Sequence, residues 1–391
     1  MINHSNKLSV CMISSGFPVL KGDNSGIFIK KLVDHFREEI NLKILVPSHR
    51  EKFSILSNSF TLIRVKYFFR RWENLFYSAR GLPQEIIHNP LILWKFPFFI
   101  ASMTLYTLKH SKNVNLIHAH WLPMGLFCIL PKILWGKPVV ITIRGSDVNR
   151  MNYHRIDKFI ASIVFKFCDV AVVVSKSFER QLNSKYPFLK VVYIPNGIDV
   201  ISTNQILKGN KNEAFTILYV GNLVQEKGLL DLKWAIEKLL EKELKVNITF
   251  IGNGDLKKII VEWSIKYPDR IFVMGTIPHE NVISIMRRSD ILVLPSYSEG
   301  RPNVVVEAMA NYLPVLGTNI SGISEIIENG KSGLLFSPGD KEELYNLLES
   351  CIKGCVPLVE YAKNAFEWIK KEGYSWRQTA DAYSKLYQSL I

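Results

Sequence analysis

Short apolar runs, each closed by glycine, proline, serine or asparagine, recur through this sequence in two series with amphipathic stretches between them. A run that is apolar at nearly every position has both faces buried, as a strand inside a parallel sheet does. Parallel strands need long crossovers, and the intervening stretches are long enough to be crossover helices. The first series comprises "KLSVCMIS" (7–14), "NLKILVPS" (41–48), "NLIHAH" (115–120), "KPVVITIRG" (137–145), "CDVAVVVS" (168–175) and "KVVYIPNG" (190–197). The polar, aperiodic stretch 200–213 follows and reads as part of a linker over 199–213. The second series is "FTILYVGNL" (215–223), "NITFIGNG" (247–254), "RIFVMGTI" (270–277), "DILVLPS" (290–296), "LPVLGTN" (313–319) and "SGLLF" (332–336). The expected fold is therefore α/β: two tandem doubly wound, Rossmann-like domains over 1–198 and 214–373. A chain of 391 residues is also long enough to bury two cores. Ligands bind such sheets at the carboxyl ends of the strands, so two facing domains would enclose a cleft.

Charge is divided unevenly between the halves. Residues 1–198 carry +16 and the remainder −2, within a net charge of +14. The basic half implies an anionic partner such as a phosphorylated substrate, a phospholipid surface or nucleic acid, or simply a well-solvated surface. The opening residues read as a first strand rather than a signal peptide. The longest apolar stretch, 96–108, is interrupted by Pro97 and is expected to be too short to span a bilayer. Cys11, Cys128, Cys168, Cys351 and Cys355 form no Cys-x-x-Cys pair and read as reduced thiols of a cytoplasmic protein.

The segment "YSEGRPNVVVEAM" (297–309) lies just after a strand and sets Glu299 and Glu307 on either side of a strand-to-helix corner. Asn303 is the expected N-cap of a helix starting near Val304, whose first N–H groups would favour a phosphate. A carboxylate one turn into that helix can accept both hydrogens of a vicinal diol. An isolated Glu-x7-Glu would ordinarily be two surface glutamates. After another strand, however, "YVGNLVQEKG" (219–228) places Gly221 and Lys227 where backbone and an ammonium can meet a diphosphate. Further glycines follow the strands at 251–255 and 273–278.

Together these stretches resemble the retaining family 4 glycosyltransferases of the GT-B fold. The block 290–340 carries the resemblance with "VGNLVQEKG", and "VVSKSFERQL" and "YIPNGID" match the family's domain-junction stretches. The resemblance implies a nucleotide-diphospho-sugar donor, such as a UDP- or GDP-sugar, on the C-terminal domain and an acceptor on the N-terminal one. It also implies that the last helix, about 374–391, packs back onto the N-terminal domain. Carried over by position, Glu307 holds the donor ribose and Glu299 lies near the donor sugar. The backbone of Gly300, Arg301, Pro302, Asn303, Val304 and Val305 meets hydroxyls and phosphates. Lys227 binds the diphosphate, Ile277 sits near the base, and Gly16 lies closest to the donor in the N-terminal loop. The family's companion arginine is Asn222 here, a missing charge that Arg301 or Arg144 could supply.

A second departure is Arg144, in "TIRGSDVN" (142–149), where the family often has histidine. A guanidinium is no base at neutral pH but can stabilise a leaving group. His118 and His120, on one side of a regular strand, could orient an acceptor or take its proton, or could be satisfied core histidines. With Arg144 and Asp147 they make up the expected acceptor site. No Asp-x-Asp and no metal-ligand spacing occurs, so no metal and no other cofactor is expected. In "RVKYFFRRW" (64–72), Arg64, Lys66, Phe68, Phe69, Arg70, Arg71 and Trp72 fit an interfacial anchor on an anionic membrane, assisted by the stretch 89–110. A nucleic-acid-binding segment or a buried strand flanked by solvated arginines would show the same pattern, and the sugar-transfer reading favours the anchor. The expected activity is addition of one sugar to a lipid-linked or growing surface polysaccharide, with retention, by a peripheral enzyme on the inner face of the membrane. Alternatives on this fold are a nucleotide-sugar epimerase, a sugar phosphorylase or a non-catalytic sugar-nucleotide-binding protein. A nucleic-acid partner is disfavoured by the carboxylate pair.

Overall fold

A computed structural model describes residues 7–18, 26–49, 59–69, 71, 73, 75, 89–199 and 214–391. Most of the expected linker, 200–213, lies outside these, as do Arg70 and Trp72. The chain divides into two compact units, Met1–Gly197 with Trp376–Ile391, and Ile198–Ser375.

The first unit is built on a seven-stranded parallel sheet. Its strands are β1 (Leu8–Ile13), β2 (Ile40–Pro47), β3 (Phe60–Val65), β4 (Leu116–His120), β5 (Val139–Ile143), β6 (Val170–Val173) and β7 (Val191–Tyr193), in the order β3-β2-β1-β4-β5-β6-β7. Alternate residues feed two separate cores, because successive side chains on a strand point to opposite faces. Cys11 and Ile13 on β1 join Ile117, Ile141 and Val173 on one face, where helices Phe96–Ser111 and Arg155–Phe167 pack. Val10 and Met12 join Leu42, Leu116 and Val140 on the other, covered by helices Ile27–Asp34 and Trp376–Gln388.

Helix Trp376–Gln388 thus belongs to the first unit although the whole of the second precedes it in the chain. It buries Trp376, Tyr383, Leu386 and Tyr387, and Arg37 pairs with its Asp381 at 3.1 Å. Thr379 donates to the carbonyl of Pro195 at 3.0 Å. Gly197 permits this close approach, since a Cβ there would collide with the Trp376 backbone.

The second unit holds a six-stranded parallel sheet of β8 (Phe215–Val220), β9 (Val246–Ile251), β10 (Ile271–Gly275), β11 (Ile291–Leu294), β12 (Val315–Thr318) and β13 (Leu334–Phe336), in the order β10-β9-β8-β11-β12-β13. Strand order reverses between β1 and β4 in one sheet and between β8 and β11 in the other. At such a switch point the chain leaves neighbouring strands toward opposite faces, and the loops part to leave a crevice.

The strand β3 was not among the expected strands. It covers "FTLIRV", so Arg64 of the expected membrane segment is a strand residue, and its terminal guanidinium nitrogens are enclosed without a hydrogen-bond partner among the described residues. It is therefore withdrawn as a lipid contact. Phe68 packs partly against the core, while Lys66, Phe69 and Arg71 are exposed.

Trp376→Ala removes the largest apolar group that ties the last helix to its sheet. The expected cost is about 3–5 kcal/mol of stability, read as a lower midpoint in urea unfolding of the whole chain.

Candidate active site

The two loops that leave the second sheet at its switch point are held against each other. After β8 the chain passes Gly221 and Asn222, whose carbonyl accepts from the buried Tyr219 hydroxyl at 2.8 Å. Gly228, at φ 64°, opens helix Leu229–Glu241, and a Cβ there would run into the carbonyl of Pro295 just past β11. The amide of Tyr297 donates to the carbonyl of Glu226 at 2.9 Å.

Across this seam Lys227 and Glu299 form an ion pair, Nζ to Oε1, at 2.5 Å, and Ser296 Oγ donates to the same carboxylate oxygen at 2.8 Å. Ser296 is fixed in turn, its carbonyl accepting from Thr318 at 2.6 Å. Helix Ser321–Ser324 closes over the corner, with Gly322 needed because a Cβ would sit 2.5 Å from the carbonyls of Glu299 and Gly300. An ammonium and a carboxylate are thereby held at one corner, each partly buried.

Helix Asn303–Ala310 begins at this corner. Its N-cap is Pro302, not Asn303 as expected: the ring holds φ at −71° in extended backbone, and Asn303 is already the first helical residue. Its N-cap makes no side-chain hydrogen bond and no acidic residue stands in its first turn, so the helix itself supplies nothing to offset the positive end of its dipole. One turn on, Glu307 accepts a hydrogen bond from His279 Nε2 at 3.1 Å. The other ring nitrogen of His279 lies 4.0 Å from Asp199. Arg301 points away from the role of a substitute cation. It is 8% exposed, with its guanidinium 4.2 Å over the ring of Tyr374. Ile277 packs partly into the core below β10.

The first unit gathers its candidates at its own switch point. At the end of β1, Ser14 Oγ donates to the Gly16 carbonyl at 2.6 Å. On β4, alternation sets the rings of His118 and His120 side by side, 4.2 Å apart. Neither is exposed. Both nitrogens of His118 are engaged, Nδ1 with the Tyr387 hydroxyl at 2.7 Å and Nε2 with Thr142 Oγ1 at 2.8 Å, and Tyr383 joins Thr142 at 2.8 Å. His118 thus has no open nitrogen for an acceptor and instead fastens the last helix to the sheet. His120 makes no hydrogen bond among the described residues.

Burial lowers His118 to about 3, with the charge of Arg144 acting in the same direction. Burial, His118 and Arg144 likewise hold His120 well below the usual histidine range. Arg144 lies 3.3 Å over the ring of Phe28 and donates to Asn196 at 2.9 Å. Burial brings it down to about 10, so it stays charged at neutral pH. Asp147 accepts from the Arg144 amide at 2.9 Å, and burial raises it to about 6.

Two family models match the chain, Glycosyltransferase Family 4 over residues 62–201 and Glycosyl transferases group 1 over residues 202–368. The chain belongs to glycosyltransferase family 4. A putative teichuronic acid biosynthesis glycosyltransferase, TuaC of Bacillus subtilis, is 27% identical over 98% of this chain and 99% of its own length. An Escherichia coli protein named UDP-Gal:alpha-D-GlcNAc-diphosphoundecaprenol alpha-1,3-galactosyltransferase is 24% identical over 63% of this chain and 68% of its own. Among solved structures, Anabaena HepE in complex with UDP-glucose shares the fold with a TM-score of 0.72, at 15% identity over 98% of this chain and 100% of HepE.

In this glycosyltransferase the residues that sequence reasoning missed are those that hold the named ones. Ser296 and Thr318 stand at strand ends and carry only a hydroxyl, a signal too common to single out. His279 follows β10 by a Thr-Ile-Pro turn, so its position after a strand was the available clue.

The two neutral histidines give the enzyme a defined acid sensitivity. Each titrates near 6.5 in an unfolded chain, so the unfolded state binds more protons as pH falls below that value. Stability then drops by up to about 1.4 kcal/mol per pH unit for each histidine. Asp147 acts in the opposite sense between 6 and 3.8, since the folded state takes up its proton first. The urea midpoint is expected to fall from pH 7 to pH 5, and His120→Asn to make that dependence shallower.

Proposed function

We propose that this enzyme transfers one sugar from a UDP- or GDP-sugar to a lipid-linked, growing surface polysaccharide, with retention of anomeric configuration. The observation that carries the donor half is the second unit's corner, where Lys227, Glu299, the N-terminus of helix Asn303–Ala310 and Glu307 follow one another within one strand-loop-helix seam. A sugar nucleotide has hydroxyls at both ends and phosphates between them. Glu307 would accept from the ribose hydroxyls and Glu299 from the sugar. Lys227 and the helix N-terminus would meet the diphosphate, with Gly221, Asn222 and the backbone of Gly300 to Val305 lining the approach.

The UDP-Gal donor and the diphosphoundecaprenol-linked acceptor in the name of the E. coli relative support a uridine donor and a diphospholipid-borne glycan, and the name of the B. subtilis relative supports a role in glycan biosynthesis. The +16 charge of the chain up to residue 198 suits such a phosphorylated acceptor. Arg144 and Asp147 are the residues we assign to the acceptor's side, with His120 behind them. The bond from the anomeric carbon to the diphosphate oxygen breaks, the acceptor oxygen bonds to that carbon from the same face, and its proton passes to the departing phosphate. Lys227 and the helix end supply the positive charge that the leaving group requires, so we read the transfer as independent of metal. Free thiols, including the exposed Cys355, are in keeping with action at the cytoplasmic face of the membrane.

Thermal shift against a panel of UDP-, GDP-, ADP- and CDP-sugars tests the donor half. One nucleotide class is expected to raise the melting temperature, and Glu307→Ala to abolish the shift. A shift that survives in Glu307→Ala would move the donor away from this corner. His279→Ala, which frees Glu307 to turn, is expected to weaken the same donor about fivefold, as the loss of one hydrogen bond would. His279→Gln should recover part of that loss. Retention is read from the anomeric configuration of the product, and transfer is expected to persist in the presence of EDTA.

A further inference from the structure

The turn Pro90–Lys95 and the helix Phe96–Ser111 form one apolar segment of 22 residues, long enough by length and composition to cross a bilayer, yet only Ile92, Phe99, Met103, Thr107 and Ser111 of it are buried. The expectation that residues 96–108 are too short to span is revised on length. Packing nonetheless keeps the segment from crossing. Its buried positions Phe99, Met103, Thr107 and Ser111 recur every four residues, and that stripe lies along the sheet against β1, β2 and β3. A helix fixed lengthwise to a sheet cannot also stand across a membrane.

The face it turns outward is apolar as well. Leu91 is 78% exposed and Leu105 66%, with Trp94, Phe98 and Ile100 between them. Helix Ile129–Trp135 packs beside it and leaves Leu130, Ile133 and Leu134 uncovered. The ring of Phe68 lies 4.7 Å from Trp94 and 5.3 Å from Phe98, which extends the strip to Phe69, 71% exposed. A helix that is apolar all round is ordinarily buried, and an apolar surface this extended marks an interaction site.

Charge selects the partner. Between Glu85 and Asp147 the sequence contains no Asp or Glu, while Lys95, Lys109, Lys112 and Lys137 stand in or beside the two helices. A second copy docked through the same surface would set one lysine-bearing patch against another. Anionic lipid headgroups would neutralise them.

We propose that this surface of the first unit seats the enzyme on an anionic bilayer, both helices lying in the plane of the headgroups. The exposed leucines and aromatics enter the acyl boundary, and the lysines meet lipid phosphates. The inference rests on the reading of the acceptor as lipid-linked, and it places the acceptor-binding unit at the surface where such a molecule is found.

Flotation of the purified full chain tests it, using vesicles of phosphatidylglycerol and phosphatidylcholine in equal parts and of phosphatidylcholine alone. The wild type is expected to float with the anionic vesicles and weakly with the neutral ones. Phe98→Glu with Leu130→Glu should lower partition by more than about tenfold without changing the melting temperature. Ile265→Glu, at an exposed site of the second unit, should float like the wild type. A wild type that stays in the dense fraction with anionic vesicles, or a double variant that floats equally well, overturns the proposal. So does a lipid-free dimer in sedimentation equilibrium that the double variant abolishes, because a second copy would then hold the surface. An enzyme that floats but transfers nothing onto a polyprenyl-diphosphate sugar supports the seat and removes the acceptor reading. One that transfers in detergent but does not float does the reverse.

Discussion

Within each sheet every described strand runs parallel to its neighbours, and that single constraint arranges the rest of each unit. A parallel strand can be followed by another only after the chain has returned along the outside of the sheet, so all strands deliver their loops at one edge. The same winding buries both faces, which is why Val10 and Met12 serve one core while Cys11 and Ile13 serve another. Among the described strands, the order reverses between β1 and β4 and between β8 and β11. His118 and His120 stand at the first pair, and Lys227 and Glu299 beyond the second.

At these two edges the chain has handled charge in opposite ways. In the second unit the carboxylates are given partners: Lys227 forms an ion pair with Glu299, and His279 donates a hydrogen bond to Glu307. Neither carboxylate is left uncompensated near the protein interior, where an unpaired charge is costly. The ion pair, with the hydrogen bond from Ser296 to the same carboxylate, fixes the shape of the corner. In the first unit the histidines are instead held neutral by burial, and the positive charge is concentrated on Arg144 against the face of Phe28.

The fold was legible because parallel strands announce themselves as continuous apolar runs. β3 was not legible because it is an edge strand whose "FTLIRV" carries an arginine and runs into an aromatic-basic stretch. The strand-to-helix corner was legible through Glu299, Lys227 and Glu307, whose spacing relative to strand ends carries chemical meaning. Its cap was misread because Asn is a common N-cap, whereas Pro302 takes that position through its fixed backbone angle. The fate of His118 was not legible at all. Its partners Tyr383 and Tyr387 are more than 260 residues downstream of it, and only the folded chain shows that both its nitrogens are spent.

That last helix has a consequence for how the molecule is made. The first sheet is complete once β7 has been synthesised, but the face formed by Val10, Met12, Leu116 and Val140, which helix Ile27–Asp34 covers in part, waits for Trp376, Tyr383 and Tyr387 to be closed. The whole second unit emerges in the interval and has all its own strands and helices by Glu372. The unit that begins first is therefore finished last. On the ribosome that face stays half-covered, with the His118 ring unpaired by Tyr387, until the unit encoded inside it has had time to fold.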